Sequence, residues 1–332
     1  MAKTPRISEM QKFHFGNKIF YADGEDGILS YVIFDPSTCR LTHIGVRQGR
    51  LFGKTFSLPY SVVVGATGEG IQLTIKRDDA PAARVADAQG ALLDAKSVVE
   101  NTGAATGTLL MVAIHPENAA LAYIVAHHLK PGQDMIIQQR FISAVTAGHV
   151  ALDIPAADFN ALPPYRPDSV LQQEVEAAIF DFAPLHIDMK AIKARVLDGV
   201  LYLDGNSSSA LRSDTVTDQA LGVQGLLEVK NNLVSDDQLA ADLAMALGRD
   251  PHTRDLPIGV YPRLGVVRLS GAVHNSQQKA AAAEIARQFP GVRSVINDLV
   301  IDAKADLLHV MSASEGGEAD DIVPGHYTRH TR

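Results

Sequence analysis

The side chains able to do chemistry are few and scattered. His127 and His128 are adjacent, and paired imidazoles are common metal ligands. Neighbouring residues of a strand point to opposite faces, so these two are predicted not to chelate one ion together and to form a surface pair. His326 and His330 stand four apart in a polar, Gly-containing terminal stretch with no carboxylate set around them. That spacing by itself does not make a metal site, and even adventitious binding is not expected there. Cys39 is the only cysteine. Arg40 beside it is the kind of neighbour that lowers a thiol pKa, but no His–Asx partners accompany it, and it reads as an inert thiol. A single cysteine excludes an intrachain disulfide and a Cys-based zinc site within one chain. Gly65 to Gly70 reads GATGEG. A phosphate loop needs a strand before it, a helix after it and a Lys-Ser/Thr pair; here strand-like residues follow, which predicts a hairpin turn. Asp236-Asp237 opens a helix, where carboxylates meet the macrodipole favourably, and Glu318 to Asp321 reads as a solvated acidic run. No Gly-x-Ser-x-Gly or His-Glu-x-x-His motif occurs. The chain therefore reads as non-enzymatic, with no catalytic, cofactor-binding or metal residue assigned, no cofactor expected, and binding residues that the sequence does not identify.

Composition narrows the partners. The 332 residues suffice for two to four ordinary domains. Tryptophan is absent and the formal net charge is −8. An acidic chain with no basic run repels phosphate backbones, so nucleic acid is not expected. Met1 to Phe20 lacks the continuous apolar segment of a secretory signal. No apolar run approaches the roughly 20 residues that span a bilayer. These features predict a soluble cytoplasmic protein, at most peripheral to an inner membrane.

The elements that would position any site are repeated. With the chain displaced by 66 residues, Gly199-Val200, Leu203 and Gly205 fall on Gly265-Val266, Leu269 and Gly271; Gly225, Val229, Asn231, Leu233 and Val234 fall on Gly291, Val295, Asn297, Leu299 and Val300. Ser169 and Gln172 likewise fall on Ser235 and Gln238, and each pair has the spacing of a capping box. One offset serves throughout. Leu171, Val175, Ala178, Ile179 and Phe182 recur at helical spacing, as do Leu239, Leu243, Ala246 and Leu247. Strand-like runs then flank Asp198-Gly199, a hairpin signal because both residues tolerate positive φ; in the second copy the turn is Leu264-Gly265. A helix and a closing strand follow, giving the order α-β-β-α-β.

The runs DGVLYLDG with GLLEVKNNLV, and LGVVRLSG with FPGVRSVINDLV, resemble the BON domain: an apolar strand ending Leu-x-Gly, a helix, then Gly-Val-x-x-Val-x-Asn-x-Leu. The second copy follows the pattern throughout. The first departs at the Gly-Val step, where Leu226 stands for Val292. The resemblance implies association with envelope stress, phospholipid binding or, in cytoplasmic members, ion sensing.

The front half repeats more faintly. At a displacement of 80, Gly27, Leu29, Val32, Pro36, Leu41 and Ile44 fall on Gly107, Leu109, Val112, Pro116, Leu121 and Ile124; at 79, Thr67, Leu73 and Ile75 fall on Thr146, Leu152 and Ile154. Short apolar strands at close spacing predict a small barrel. YADGEDGILSYVIFDPSTCRLTHIGVRQG followed by FSLPYSVV resembles the PRC-barrel family, with its Asp-Pro and later Leu-Pro; the second copy keeps the spacing and loses both motifs. That resemblance implies an adaptor, as in ribosome maturation factors and a subunit of the photosynthetic reaction centre.

The predicted fold class is α+β multidomain: two small β-barrel-like repeats (1–78 and a diverged 97–156), then two α-β-β-α-β repeats (169–235 and 236–303). A linker is expected at 79–96, a stiff Pro-rich connector at 157–168 and a disordered tail at 304–332. The function read from this is a binding scaffold that docks through repeated modules to a phospholipid surface or a protein partner, in a stress-related role. The alternatives are a self-assembling homo-oligomer and a sensor of a small ligand or ion.

Overall fold

The computed structural model describes residues 6–48, 53–102, 105–182, 188 and 190–304. Contacts divide the chain into two compact units, one of Met1–Phe182, Ala194–Leu203 and Thr217–Lys230, the other of Ala183–Lys193, Asp204–Val216 and Asn231–Arg332. His326, His330, Glu318 to Asp321 and the expected tail beyond Lys304 lie outside the described residues. No helix among the described residues is long and apolar enough to cross a membrane.

The front half is almost all strand. It runs β1 (Gln11–His14), β2 (Lys18–Tyr21), β3 (Gly24–Asp35), β4 (Arg40–Arg47), β5 (Thr55–Pro59), β6 (Val63–Thr67) and β7 (Gly70–Leu73). After a short helix, α1 (Ala80–Ala83), come β8 (Ala91–Asp94), β9 (Val98–Asn101), β10 (Thr106–Ile114), β11 (Leu121–Lys130), β12 (Gln133–Gln138), β13 (Ile142–Thr146) and β14 (His149–Leu152). One sheet has the order β5-β4-β3-β2-β7-β6, with β8 added on β3. The other is β13-β14-β9-β10-β11-β12, with β1 added on β10.

Each copy thus lends its leading strand to the sheet of the other. Phe13 lies opposite Val112, and Leu93 opposite Val32, the same register displaced by 80 residues. A bulge in each long strand allows it. The ladder slips between Leu29 and Tyr31 in β3 and between Leu109 and Met111 in β10. A bulge bends a strand and increases its twist, so the first part of β3 pairs with β2 and the second part with β8. One apolar core, from Phe13 and Ile19 through Leu93 to Leu152, fills both copies.

Two segments expected as linkers carry structure. Residues 79–96 hold α1 and β8, and 157–168 overlaps α2 (Ala156–Ala161) and holds β15 (Pro164–Tyr165), whose Tyr165 pairs with Asp134 of β12. Proline-rich composition stiffens a chain, but backbone groups beside a sheet edge still take ladder partners.

The remainder runs α3 (Asp168–Asp181), β16 (Ile192–Leu197), β17 (Val200–Ser207), α4 (Ala210–Leu221) and β18 (Glu228–Ser235). It continues with α5 (Asp236–Arg249), β19 (Ile258–Arg263), β20 (Val266–Val273), α6 (Ser276–Gln288), β21 (Ser294–Asn297) and β22 (Val300–Ile301). The sheets are β16-β17-β18 and β19-β20-β21, with β22 also on β20. In the second copy, Leu239, Leu243 and Leu247 of α5 pack with Val267, Leu269, Ala282 and Ala286.

The capping box predicted at Ser169–Gln172 does not form. Helix α3 starts at Asp168, after Pro167, with no side-chain cap, and the Gln172 side chain instead bonds Ala194 O and Val196 N. Ser235 does cap α5, accepting from Gln238 N at 3.4 Å. The Gln238 side chain turns to Asp242, so the box is half made. The two helices therefore correspond at a displacement of 68: Asp168 with Asp236, and buried Leu171, Val175 and Ile179 with Leu239, Leu243 and Leu247. The strands keep 66, so the chain between the first helix and the strand that follows is two residues longer in the first copy.

Candidate functional site

In both αββαβ copies the first residue of the leading helix clamps the hairpin turn. Asp168 accepts from Asp198 N and Gly199 N at 2.7 and 2.8 Å. Asp236 accepts from Leu264 N and Gly265 N at 2.7 and 3.3 Å. All four turn residues have φ between 50° and 78°, the left-handed region that costs a leucine roughly 1–2 kcal/mol. The role of Asp236 is thus more specific than a favourable charge at a helix start. Asp237 lies outside the clamp; a hydrogen bond from Ser235, then one from the Ala210 amide, holds its carboxyl below the usual range.

The turn of the first copy is buried against the front half. Asp198 is 2% exposed. It accepts from His14 Nε2 at 2.7 Å and from Gly68 N at 2.9 Å, and Lys12 Nζ stands 4.0 Å away. Lys12, also 2% exposed, has its pKa lowered by burial, with Asp198 acting against that. Around this centre Arg195 bonds Glu69 at 2.6 Å, and the Ser8 amide and hydroxyl donate to Glu228. Leu227 packs on a buried group formed by Met111, Tyr123 and Val125. Burial raises the Tyr123 phenol, and also that of Tyr165 beside it.

The same face of the second copy is open. On the outer side of its sheet Tyr261 lies opposite Arg268, and Arg268 opposite Ile296. Arg263 lies opposite Val266, and Val266 opposite Ser294. Tyr261 is 58% and Ile296 42% exposed. Tyr261, Arg263, Leu264, Arg268, Arg293 and Ile296 line a shallow cleft of about 650 Å³. In the first copy the central position is Tyr202, with Arg195 and Lys230 over its ring at 5.6 and 5.7 Å. The second copy inverts the arrangement, placing Arg268 between an aromatic and an aliphatic side chain.

The residues singled out by sequence are dispersed. Gly65 to Gly70 spans the β6–β7 hairpin, with Gly68-Glu69 at its tip. Cys39 occupies a left-handed turn position and packs partly against the front core. His127 and His128 do not point apart as strand alternation predicts. The β11–β12 ladder slips between Ala126 and Lys130, and His128 has φ of 60°, so the two rings lie side by side, centroids 3.6 Å apart and planes inclined by 40°. His127 Nδ1 bonds Asp134 Oδ1 at 2.5 Å. No group of three or more metal-ligating side chains occurs among the described residues. Sequence reasoning missed Lys12, His14 and the three arginines. The available signal was the exchange of Asp198 for Leu264 at a turn the repeats otherwise share.

Comparison with known proteins places a family name on the second copy. Residues 235–303 match the BON domain family. Osmotically-inducible protein Y of Escherichia coli (strain K12) is 27% identical over 158 residues, covering 43% of this chain and 77% of that protein. Two structures of CdsD, a structural protein of the type III secretion system of Chlamydia trachomatis, are 18% and 19% identical, each with a TM-score of 0.33. The alignment covers 44% of this chain and 66% and 69% of theirs. A likeness at that TM-score carries no argument about function.

Proposed function

We propose that this chain is a non-enzymatic docking scaffold, and that the outer sheet face of its second αββαβ copy receives a protein surface. One observation carries the reading: the equivalent face of the first copy, at its turn end, is packed against a β-sheet surface through Asp198, Glu228 and Leu227. The same scaffold carries an exposed Tyr–Arg–Ile row in the second copy. Tyrosine and arginine are enriched where protein surfaces meet. The BON domain match, the similarity to an osmotically inducible protein and the resemblance of the front half to PRC-barrel adaptors support a docking role linked to stress.

The test uses a photo-crosslinking amino acid in place of Tyr261, Ile296 or, as a control on the helix side, Met245, together with flotation of the purified chain on neutral and anionic vesicles. Protein adducts at 261 and 296 but not at 245 support the reading. Flotation on anionic vesicles that is lost in Arg268→Glu would replace the protein surface with a phospholipid one. Equal adducts at all three positions, or none, would end it.

A further inference from the structure

Because the front half is built twice, the surface that holds the first αββαβ copy has a counterpart. Lys12 and Leu92 occupy equivalent places in the exchanged strands, Lys12 opposite Ala113 and Leu92 opposite Ile33. Gly68 at the tip of the β6–β7 hairpin corresponds to Ala147 at the tip of β13–β14. The two surfaces differ in cover. Lys12 is almost wholly buried, whereas Leu92 is 37% exposed. Thr67 and Gly68 are half-buried, whereas Thr146, Ala147 and Gly148 are exposed.

The side chains on the uncovered surface match the open face of the second copy pair by pair. Among the polar contacts that hold the first copy are Lys12 with Asp198, Glu69 with Arg195, and Ser8 with Glu228. At the equivalent positions stand Leu92 with Leu264, Gly148 with Tyr261, and Ala88 with Ser294. Charge has been lost from both members of the first two pairs and from the Glu228 side of the third, while His14, which also bonds Asp198, has the charged Asp94 as its counterpart. At the buried Lys12–Asp198 position a one-sided loss would strand a charge, which is strongly unfavourable; the matched loss there puts Leu92 opposite Leu264 in its place. The match extends outward. Arg293 stands where Leu227 packs against Met111 and Tyr123, and the counterparts of those two are Tyr31 and His43, planar groups on which a guanidinium stacks.

We infer that the partner received by the second αββαβ copy is another copy of this chain, docked at the surface formed by β8 and the β13–β14 hairpin. This rests on the docking reading above and names its partner. The contact joins two different patches, so it is heterologous and propagates into a ring or a filament. Leu92 meets Leu264 at its centre, as Lys12 meets Asp198 within the chain.

The test is sedimentation velocity on the purified full-length chain over a wide range of concentration. The expected result is a mass that rises from one chain to two and beyond. Leu264→Asp alone and Leu92→Lys alone should each weaken association by about tenfold or more, the loss expected at the centre of an interface. The double variant Leu92→Lys with Leu264→Asp rebuilds the ion pair of the first site and should restore association. Both positions are partly exposed, and circular dichroism verifies that the variants fold. A single-chain mass at every concentration, or association indifferent to both leucines, overturns the inference. Face-specific crosslinks to other proteins from a chain that stays monomeric would sink the self-partner and leave the docking reading standing.

Discussion

At the turn of the first αββαβ copy an aspartate lies buried beside a lysine, a histidine and a backbone amide. At the same turn of the second copy a leucine lies half-exposed between arginines. The backbone of the two turns is alike, with positive φ at both residues and an aspartate from the leading helix on both amides. The fold thus accepts either residue there, the leucine at a backbone cost of roughly 1–2 kcal/mol, and the identity of that residue reports what the face is docked against. Duplication supplied two equal faces; substitution at a few outward positions closed one through a buried ion pair and left the other with an apolar turn flanked by arginines.

The comparison breaks most visibly at Asp198. Asp198→Asn keeps a residue that tolerates positive φ and leaves Lys12 as a buried cation without its anion. The expected loss is about 3–5 kcal/mol, read by hydrogen exchange of the β6–β7 amides under increasing urea. Leu264→Asn at the equivalent place should cost less than about 1 kcal/mol. Where the copies are alike, they should respond alike. A Cβ on Gly205 or Gly271 would fall 2.0 or 1.9 Å from the carbonyl oxygen of Ala191 or Pro257, at φ of +113° or +111°. Each alanine variant should cost about 2–3 kcal/mol, and a gap between the two in thermal melts would show that the copies differ in more than their outer face.

The effect of Asp198→Asn also carries a pH signature. The folded-state pKa of Lys12 lies below its unfolded value of 10.5. The unfolded chain then binds the proton more tightly, so the penalty for burying Lys12 is relieved as pH rises from the folded pKa to 10.5. Removing Asp198 lowers the folded pKa further and enlarges the penalty below that window. The stability gap between parent and variant should therefore narrow as pH climbs toward 10.5. Tyr123 and Tyr165, whose phenols are raised by burial, lose their stabilising contribution above their unfolded value of 10.0 in both proteins and largely cancel. The smallest effect belongs to the exposed Arg195–Glu69 pair: Arg195→Ala should change stability by less than about 1 kcal/mol.

How much of this was legible varied with the range of the determining interaction. The Asp198-Gly199 turn is a local matter and reads directly from sequence. The leading helices were placed two residues out of correspondence because Ser169 and Gln172 mimic Ser235 and Gln238. The residue that fixes each helix start is the aspartate clamping a turn some 30 residues on, a contact that spacing rules do not contain. The side-by-side placement of His127 and His128 was not legible because a ladder slip and one left-handed residue undo strand alternation. The exchange of β1 and β8 depends on bulges at Leu29 and Leu109, and nothing in those short apolar runs marks them. The docking face escaped notice because its signal lies in differences between copies, at Asp198 against Leu264 and Tyr202 against Arg268, whereas a search for repeats rewards identity.

Hydroxyl-radical footprinting of the full-length chain, diluted and then concentrated, tests the central claim most directly. Tyr261 and Ile296 should be oxidised readily in dilute solution and become protected as concentration rises, while Leu197 and Leu227 stay protected throughout. Reactivity of Leu197 and Leu227 equal to that of Tyr261 and Ile296 at every concentration would contradict the account, because the two faces would then be equally open.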